Sequence, residues 1–196
     1  MGEISKEIRS EINSDGFLTL SISSSEIPKP KDHEVLIKVE ASPINPSDLG
    51  LLISFAADVT SLKVEGDGDD KKATMNVHPK LLRTMEARLD KSMQVGNEGG
   101  GVVVDAGKDA KDMIGKTVGV AGGAMYSQYR CLPAQSCLVM HEGTSSKDAA
   151  SSFVNPLTAL GFIETMKMEN HSSLVHTAAA SNLGQMLIKI CLADNV

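Results

Sequence analysis

Leu174-Val175-His176-Thr177-Ala178-Ala179-Ala180-Ser181-Asn182-Leu183-Gly184 passes from apolar residues through a run of small ones into a helical pattern. The spacing predicts a strand over Ser173–Ala178, a tight turn, and a helix over Leu183–Leu192. A fold that holds a dinucleotide needs small residues at such a turn. They let backbone amides at the helix N-terminus approach a pyrophosphate. The usual fingerprint has three glycines. Here only Gly184, in the last position, is present; Ala, Ser and Asn stand at the others. Taken alone, any strand-to-helix turn built of small residues reads the same way.

Upstream, Thr144, Ser145 and Ser146 are cap candidates for a mainly apolar helical stretch running to about Glu169, interrupted at Asn155-Pro156. Helix, strand, glycine-containing turn and helix is how a Rossmann-type domain begins. Earlier still, the grammar is that of strands. Leu18, Leu20 and Ile22 alternate within Phe17–Ser23, and Val35, Ile37 and Val39 within Val35–Glu40. Further strands are expected at Gly101–Asp105, Thr117–Val120, Tyr126–Leu132 and Cys137–Met140. Short strands at this spacing predict a small β-barrel. Between Leu51 and Val95 lie a polar loop, Gly66–Lys72, and a predicted helix over Pro79–Asp90 with Leu81, Leu82, Met85 and Leu89 on one side. The loop lacks the glycine and the terminal glutamate of a calcium-binding EF-hand, and reads as a solvated turn.

Four blocks, in order, resemble the medium-chain dehydrogenase/reductase superfamily. Val35–Asp48, with Pro43-Ile44-Asn45-Pro46-Ser47-Asp48 at its end, resembles the first barrel strands. Gly96-Asn97-Glu98-Gly99-Gly100-Gly101 resembles a Gly-His-Glu-x-x-Gly segment. Tyr126–Arg130 with Pro133-Ala134 and Leu138-Val139 resembles the closing strand pair. Asn155-Pro156-Leu157-Thr158-Ala159 resembles the helix facing the nicotinamide in the quinone oxidoreductase branch. The resemblance covers roughly Val35 to Cys191. It implies a mixed β and α/β fold: a GroES-like barrel over residues 1–144, with an insertion at 51–95, and the start of a Rossmann domain over 145–196.

The zinc enzymes of the superfamily place Cys, His and Cys or an acid around an open metal position. The matching positions here are Asn45, Asn97 and the neighbourhood of Asn155, none a usual zinc ligand. Cys131 and Cys137 stand outside any zinc-ribbon spacing. The resemblance therefore implies the metal-free branch, with hydride passing from NADP(H) (NAD(H) not excluded) to a quinone, enone or other carbonyl compound. It assigns Asn45, Asn97 and Thr158 as catalytic. It assigns the cofactor to Asn155, Pro156, Thr158, Ser181, Asn182, Leu183 and Gly184, with no metal. A catalytically inactive binding or regulatory module that keeps the barrel as a scaffold is the rival reading, since fold alone does not fix function.

Composition narrows the classes further. The chain has 196 residues, 41% hydrophobic and 22% charged, which suits a globular protein. A net charge of −6, with no Lys/Arg block, argues against nucleic acid or an acidic membrane surface as partner. No apolar run approaches the length of a membrane span, and residues 1–10 are charged, so a cytoplasmic protein with free thiols at its three cysteines is expected. A homodimer is expected of the full-length protein. His141-Glu142 is not a HExxH motif, and Ser23-Ser24-Ser25 has no G-x-S-x-G elbow. His176, in an apolar context, reads as packed, and Tyr126 and Tyr129 as strand-face residues rather than proton donors.

The sequence departs from the family in two ways. The stretch from Asn45 to Asn97 is long, which leaves the substrate open. A Rossmann domain reads its adenosine ribose about 20 residues beyond the glycine fingerprint, whereas Val196 is 12 residues past Gly184. A fragment of a longer protein is the expectation.

Overall fold

The computed structural model describes residues 3–195; Met1, Gly2 and Val196, the outer limits of the two expected domains, lie outside them. The described chain starts with a hairpin whose second strand was expected over Phe17–Ser23 and whose first strand the sequence reading missed. β1 (Ile4–Ile12) pairs antiparallel with β2 (Phe17–Glu26), setting Ile8 opposite Ile22 and Ile12 opposite Leu18. β3 (Glu34–Ala41) follows, carrying the expected alternation with Val35 and Ile37 fully buried. A short helix, α1 (Pro46–Leu52), leads into the insertion.

The insertion is more regular than a loop and a helix. β4 (Ala57–Glu65) and β5 (Lys72–Val77) form a second hairpin, with the polar segment as a 3-10 turn at Gly68–Asp70. β5 adds onto β2, so the insertion extends the first sheet. The helix predicted over Pro79–Asp90 is one α turn, α2 (Pro79–Leu82), running into a 3-10 turn at Arg83–Arg88. Its Leu82, Met85 and Leu89 still pack where their spacing placed them, against Ile12, Leu18 and Met75. β6 (Met93–Gln94) closes this sheet, in the order β4-β5-β2-β1-β6.

The second sheet is built from β3, β7 (Gly99–Ala106), β8 (Thr117–Val120), β9 (Tyr129–Pro133) and β10 (Cys137–Val139), in the order β10-β8-β7-β3-β9. Val35, Ile37, Val103, Val118, Val120 and Met125 form its core. The strand expected from Tyr126 is split. Residues Tyr126–Gln128 hydrogen-bond instead to β1 of the first sheet, through Ile8 N–H to Tyr126 O (2.8 Å) and Gln128 N–H to Lys6 O (2.9 Å). That segment joins the two curled sheets into a half-open barrel.

Three helices follow. α3 (Ser146–Ala149) lies directly on β7: a Cβ added at Gly100 would collide with Ser146 O and would sit 2.6 Å from Ala150 N. Only glycine permits that approach. α4 (Val154–Met168) starts before Pro156, so the predicted break at Asn155-Pro156 is displaced to residues 151–153. Pro156 falls in the first turn, where an amide hydrogen has no intrahelical acceptor and its loss costs nothing. α5 (Asn182–Asp194) covers the helix predicted over Leu183–Leu192. The strand predicted over Ser173–Ala178 does not form. Among the described residues no strand runs beside it, and a β ladder needs a neighbour. Val175 is 93% exposed as a result. α4 and α5 pack through Ala159, Ile163 and Leu187.

Candidate functional site

The segment after β3 turns at Pro43 and enters α1 at Pro46, where fixed φ suits the first helical position. Asn45 precedes it and is buried. Its backbone N–H donates to Asp48 Oδ2 at 2.8 Å, so the carboxylate three residues on reaches back to close the helix start. The other Asp48 oxygen accepts the Asn97 N–H at 2.8 Å, although Asp48 and Asn97 lie 49 residues apart. One buried carboxylate thus fixes both asparagine backbones.

The asparagine side chains go different ways. Asn45 Nδ2 donates to Glu98 Oε1 at 2.8 Å, inside the protein. Asn97 is half-buried and its Nδ2 meets only Ser47 Oγ, at 3.1 Å, towards the surface. Glu98 is 1% exposed. Its second oxygen accepts the N–H groups of Phe153 (3.0 Å) and Val154 (2.9 Å), the start of α4. A carboxylate at a helix N-terminus satisfies orphan donors and meets the positive end of the helix dipole. Glu98 is therefore the pin that ties Asn45 and the barrel to the helix carrying Asn155, Pro156 and Thr158. Thr158 is exposed, one turn along α4, and its hydroxyl donates to Val154 O at 2.6 Å.

Tyr126 borders this cluster. Its hydroxyl donates to Pro43 O at 3.0 Å. Burial, with the Asp48 carboxylate and more weakly that of Glu98 adding to it, pushes its pKa up to about 12. A phenol held this way is a hydrogen-bond donor with its proton already committed, but Tyr126 lies before β9 and not on the strand face expected for it. His176 tilts against Phe162, ring centroids 5.8 Å apart.

The turn before α5 has the shape expected of its small residues. Ser181 caps the helix, its Oγ accepting from Gly184 N–H at 3.1 Å. A Cβ added at Gly184 would lie 2.5 Å from Ala179 O and 2.6 Å from Ala178 O, so the turn folds against the glycine itself. The amides of Asn182 and Leu183, in the first helical turn, have no carbonyl behind them and suit an anion. The residues present thus fit the phosphate end of a dinucleotide. The structure gathers Asn45 and Asn97 into one cluster and links Thr158 to it through Glu98; Ser181–Gly184 form a separate group at the head of α5. Sequence reasoning passed over Asp48 and Glu98 as site residues. Both stand inside the quoted blocks, and two acids in otherwise apolar, glycine-rich segments were the available signal.

Two curled antiparallel sheets joined into a half-barrel, followed by helices, define the class: a GroES-like barrel leading into a helical segment. Among solved structures the chain is similar to a candidate NADPH:quinone reductase from Mesorhizobium loti (23% identity, TM-score 0.66, 100% of this chain and 53% of that one). It is also similar to the quinone oxidoreductase from Coxiella burnetii (19%, TM-score 0.63, 97% and 54%). A third is the Escherichia coli quinone oxidoreductase complexed with NADPH (16%, TM-score 0.61, 96% and 49%). At these identities the likeness establishes the fold. The chain spans about half the length of these structures. No family model and no curated protein matches it.

Proposed function

We propose that this chain is the substrate-side barrel and the first cofactor-binding turn of a zinc-independent NAD(P)H-dependent oxidoreductase, with NADPH favoured, acting on a quinone, enone or other carbonyl compound. The observation that carries the reading is the turn into α5. Its glycine contact and capped helix start meet the needs of a pyrophosphate, in a fold shared with an NADPH-complexed quinone oxidoreductase. The domain division at residue 144 belongs to the same reading.

NADPH, when bound, supplies the hydride. The chain's own groups bind and orient. The Asn182 and Leu183 backbone amides take phosphate oxygens, with Ser181 fixing the turn through the Gly184 amide and Gly184 allowing the close approach. Asn155 and Pro156 shape the start of α4, where they would help to hold the nicotinamide. The Thr158 hydroxyl, donating to Val154 O, keeps lone pairs open to a carboxamide N–H. Asn97 is the amide with access to the surface, and it donates to a substrate oxygen as negative charge develops there. Asn45, held by Glu98, is a positioning residue. Asn45 and Asn97 present amides where the zinc relatives need thiolate or imidazole, so metal analysis of the purified protein should give well under one equivalent of zinc.

A second reading, an inactive binding module, is favoured by one observation: the Asn45 amide and the Thr158 hydroxyl are both engaged internally. Thermal stability against NADPH and NADH separates the two. A site adds RT ln(1 + [L]/Kd). The proposal expects NADPH to raise the Tm of a version extended beyond residue 196. No shift at millimolar cofactor in that version leaves the scaffold reading.

A further inference from the structure

The insertion does more than lengthen a sheet. On the inward face of the first sheet, Ile12, Leu18, Met75 and Val77 are covered by the turns that follow Pro79. The same face continues past them as Ile8, Leu20, Ile22, Val64 and Ala73, which line an open groove among the described residues. Opposite stands Val39 of β3, and between the two sheets opens a groove of about 760 Å³. That volume is in the range of small-molecule sites. Ile8, Ile22 and Val64 are 38%, 36% and 57% exposed there.

The groove has two unlike ends. One is cationic. Lys6 and Lys71 line it, and the only acid recorded in an ion pair with either, among the described residues, is Asp69, 2.7 Å from Lys6 Nζ. Of the two acids that line the groove, Glu7 is countered by Arg9 at 2.8 Å and Glu40 accepts from Ser146 Oγ at 2.8 Å. The Lys71 ammonium is thus left for a ligand. The other end is apolar, at Leu52, Ile44 and the ring of Tyr126, and the Arg88 guanidinium beside Leu52 donates to Ser10 Oγ and Leu51 O, 3.1 Å each. Lys71, next to the Ser21–Lys72 pair, stands on the rung of Ile22 and Ile8, and Ile8 N–H donates to Tyr126 O at 2.8 Å. From Lys71 to Tyr126 the groove therefore crosses three strand spacings, about 14 Å, the reach of a chain of roughly ten carbons.

We propose that this groove binds a linear apolar molecule with an anionic head, of the fatty-carboxylate class, with its head at Lys71 and its tail between the sheets towards Tyr126. The site stands on the inserted hairpin and the inter-sheet space. It involves neither the α5 turn nor a nicotinamide, so it holds or fails independently of the proposed reductase activity.

Calorimetric titration with decanoate and with decanol tests this, alongside sedimentation and far-UV circular dichroism. Decanoate should bind saturably and one to one. Val64→Asp, a change at an exposed edge-strand position that leaves the fold intact, should weaken it about tenfold or more by setting a charge in the tail's path. Lys71→Glu should weaken decanoate about 5–10-fold and decanol by less than twofold. Leu192→Asp, on the exposed side of α5, should change neither. The proposal is overturned if decanoate does not saturate, or if Leu192→Asp abolishes binding while Val64→Asp preserves it. Equal loss of decanol and decanoate in Lys71→Glu removes the anionic head. A dimer that Val64→Asp dissociates, in protein that binds no decanoate, would make the groove an interface between copies.

Discussion

At the scale of single residues, the buried carboxylates set the terms. Glu98 accepts from three donors, Asn45 Nδ2 in the interior and the half-buried N–H groups of Phe153 and Val154. Removing an acceptor from buried donors costs about 1–3 kcal/mol each. Glu98→Ala should therefore lower unfolding free energy by about 3 kcal/mol or more, read from urea denaturation. Asn97→Ala, half-exposed with one surface partner, should cost under about 1 kcal/mol yet lower turnover in the reductase reading proposed above. Equal destabilisation by the two would remove Glu98 as the pin. The alkaline limit also belongs here. Burial pushes Cys131 and Cys137 up to about 11, and Tyr126 up to about 12. Each group is held protonated by the fold. The stability it contributes is complete below its ordinary value, near 9 for the thiols and 10 for the phenol, and is lost as pH rises through the folded value. Unfolding midpoints should accordingly fall between pH 9 and about 12. Iodoacetamide at pH 8 should modify Cys131 and Cys137 roughly 100-fold more slowly than a free thiol, since only thiolate reacts. Rapid labelling of either in the folded protein would contradict this.

At the scale of elements, the turn into α5 and the start of α4 are where function should be lost with least damage to the barrel. Gly184→Val forces side-chain atoms against Ala178 O and Ala179 O. The helix must then move off its turn, and the amides of Asn182 and Leu183 leave their positions. In a version extended past residue 196, this change should abolish the NADPH-dependent rise in Tm while the far-UV spectrum keeps its β component. Thr158→Val keeps shape and removes one hydroxyl, already bonded to Val154 O. It should lower turnover about 10–100-fold, the scale of one or two hydrogen bonds. If Thr158→Val and Asn97→Ala both leave turnover intact, the reaction centre is not at this end of α4.

At the scale of the whole molecule, stability is unevenly spread. The two sheets carry cores of buried Ile, Val, Leu and Met joined through β1 and the Tyr126–Gln128 segment. Among the described residues, the apolar side chains that α4 and α5 bury are Ala159, Ile163, Met166 and Leu187, with Ile188 48% and Leu192 76% exposed. Regions with few buried apolar contacts open first. Native-state hydrogen exchange should find the amides of α5 opening well before those of β1, β2 and β7. Uniform protection across the chain would mean that α5 is held by contacts other than these.

Much of this protein was determined by its sequence alone. Alternating Val35, Ile37 and Val39 could bury one face only as a strand, and they do. The capped, small-residue approach to Gly184 produced the tight turn it requires. Leu82, Met85 and Leu89 kept their common face even though the helix shortened to a 3-10 turn. Tertiary structure decided the rest. β1 was illegible because Ile4, Ile8 and Ile12 recur every fourth residue, a spacing that helix and strand share, while the inward positions between them are Lys6 and Ser10. Ser10 is tolerated there because Leu52 O accepts its hydroxyl. The predicted strand at Ser173–Ala178 shows the converse: an apolar run has no ladder to join where no neighbour runs beside it. The site itself was half readable. The asparagines could be marked from resemblance, but the carboxylates that hold them act across 49 residues (Asp48 to Asn97) and 53 residues (Asn45 to Glu98). Hydrogen bonds that link distant segments leave no periodicity in the sequence; folding alone brings their partners within reach.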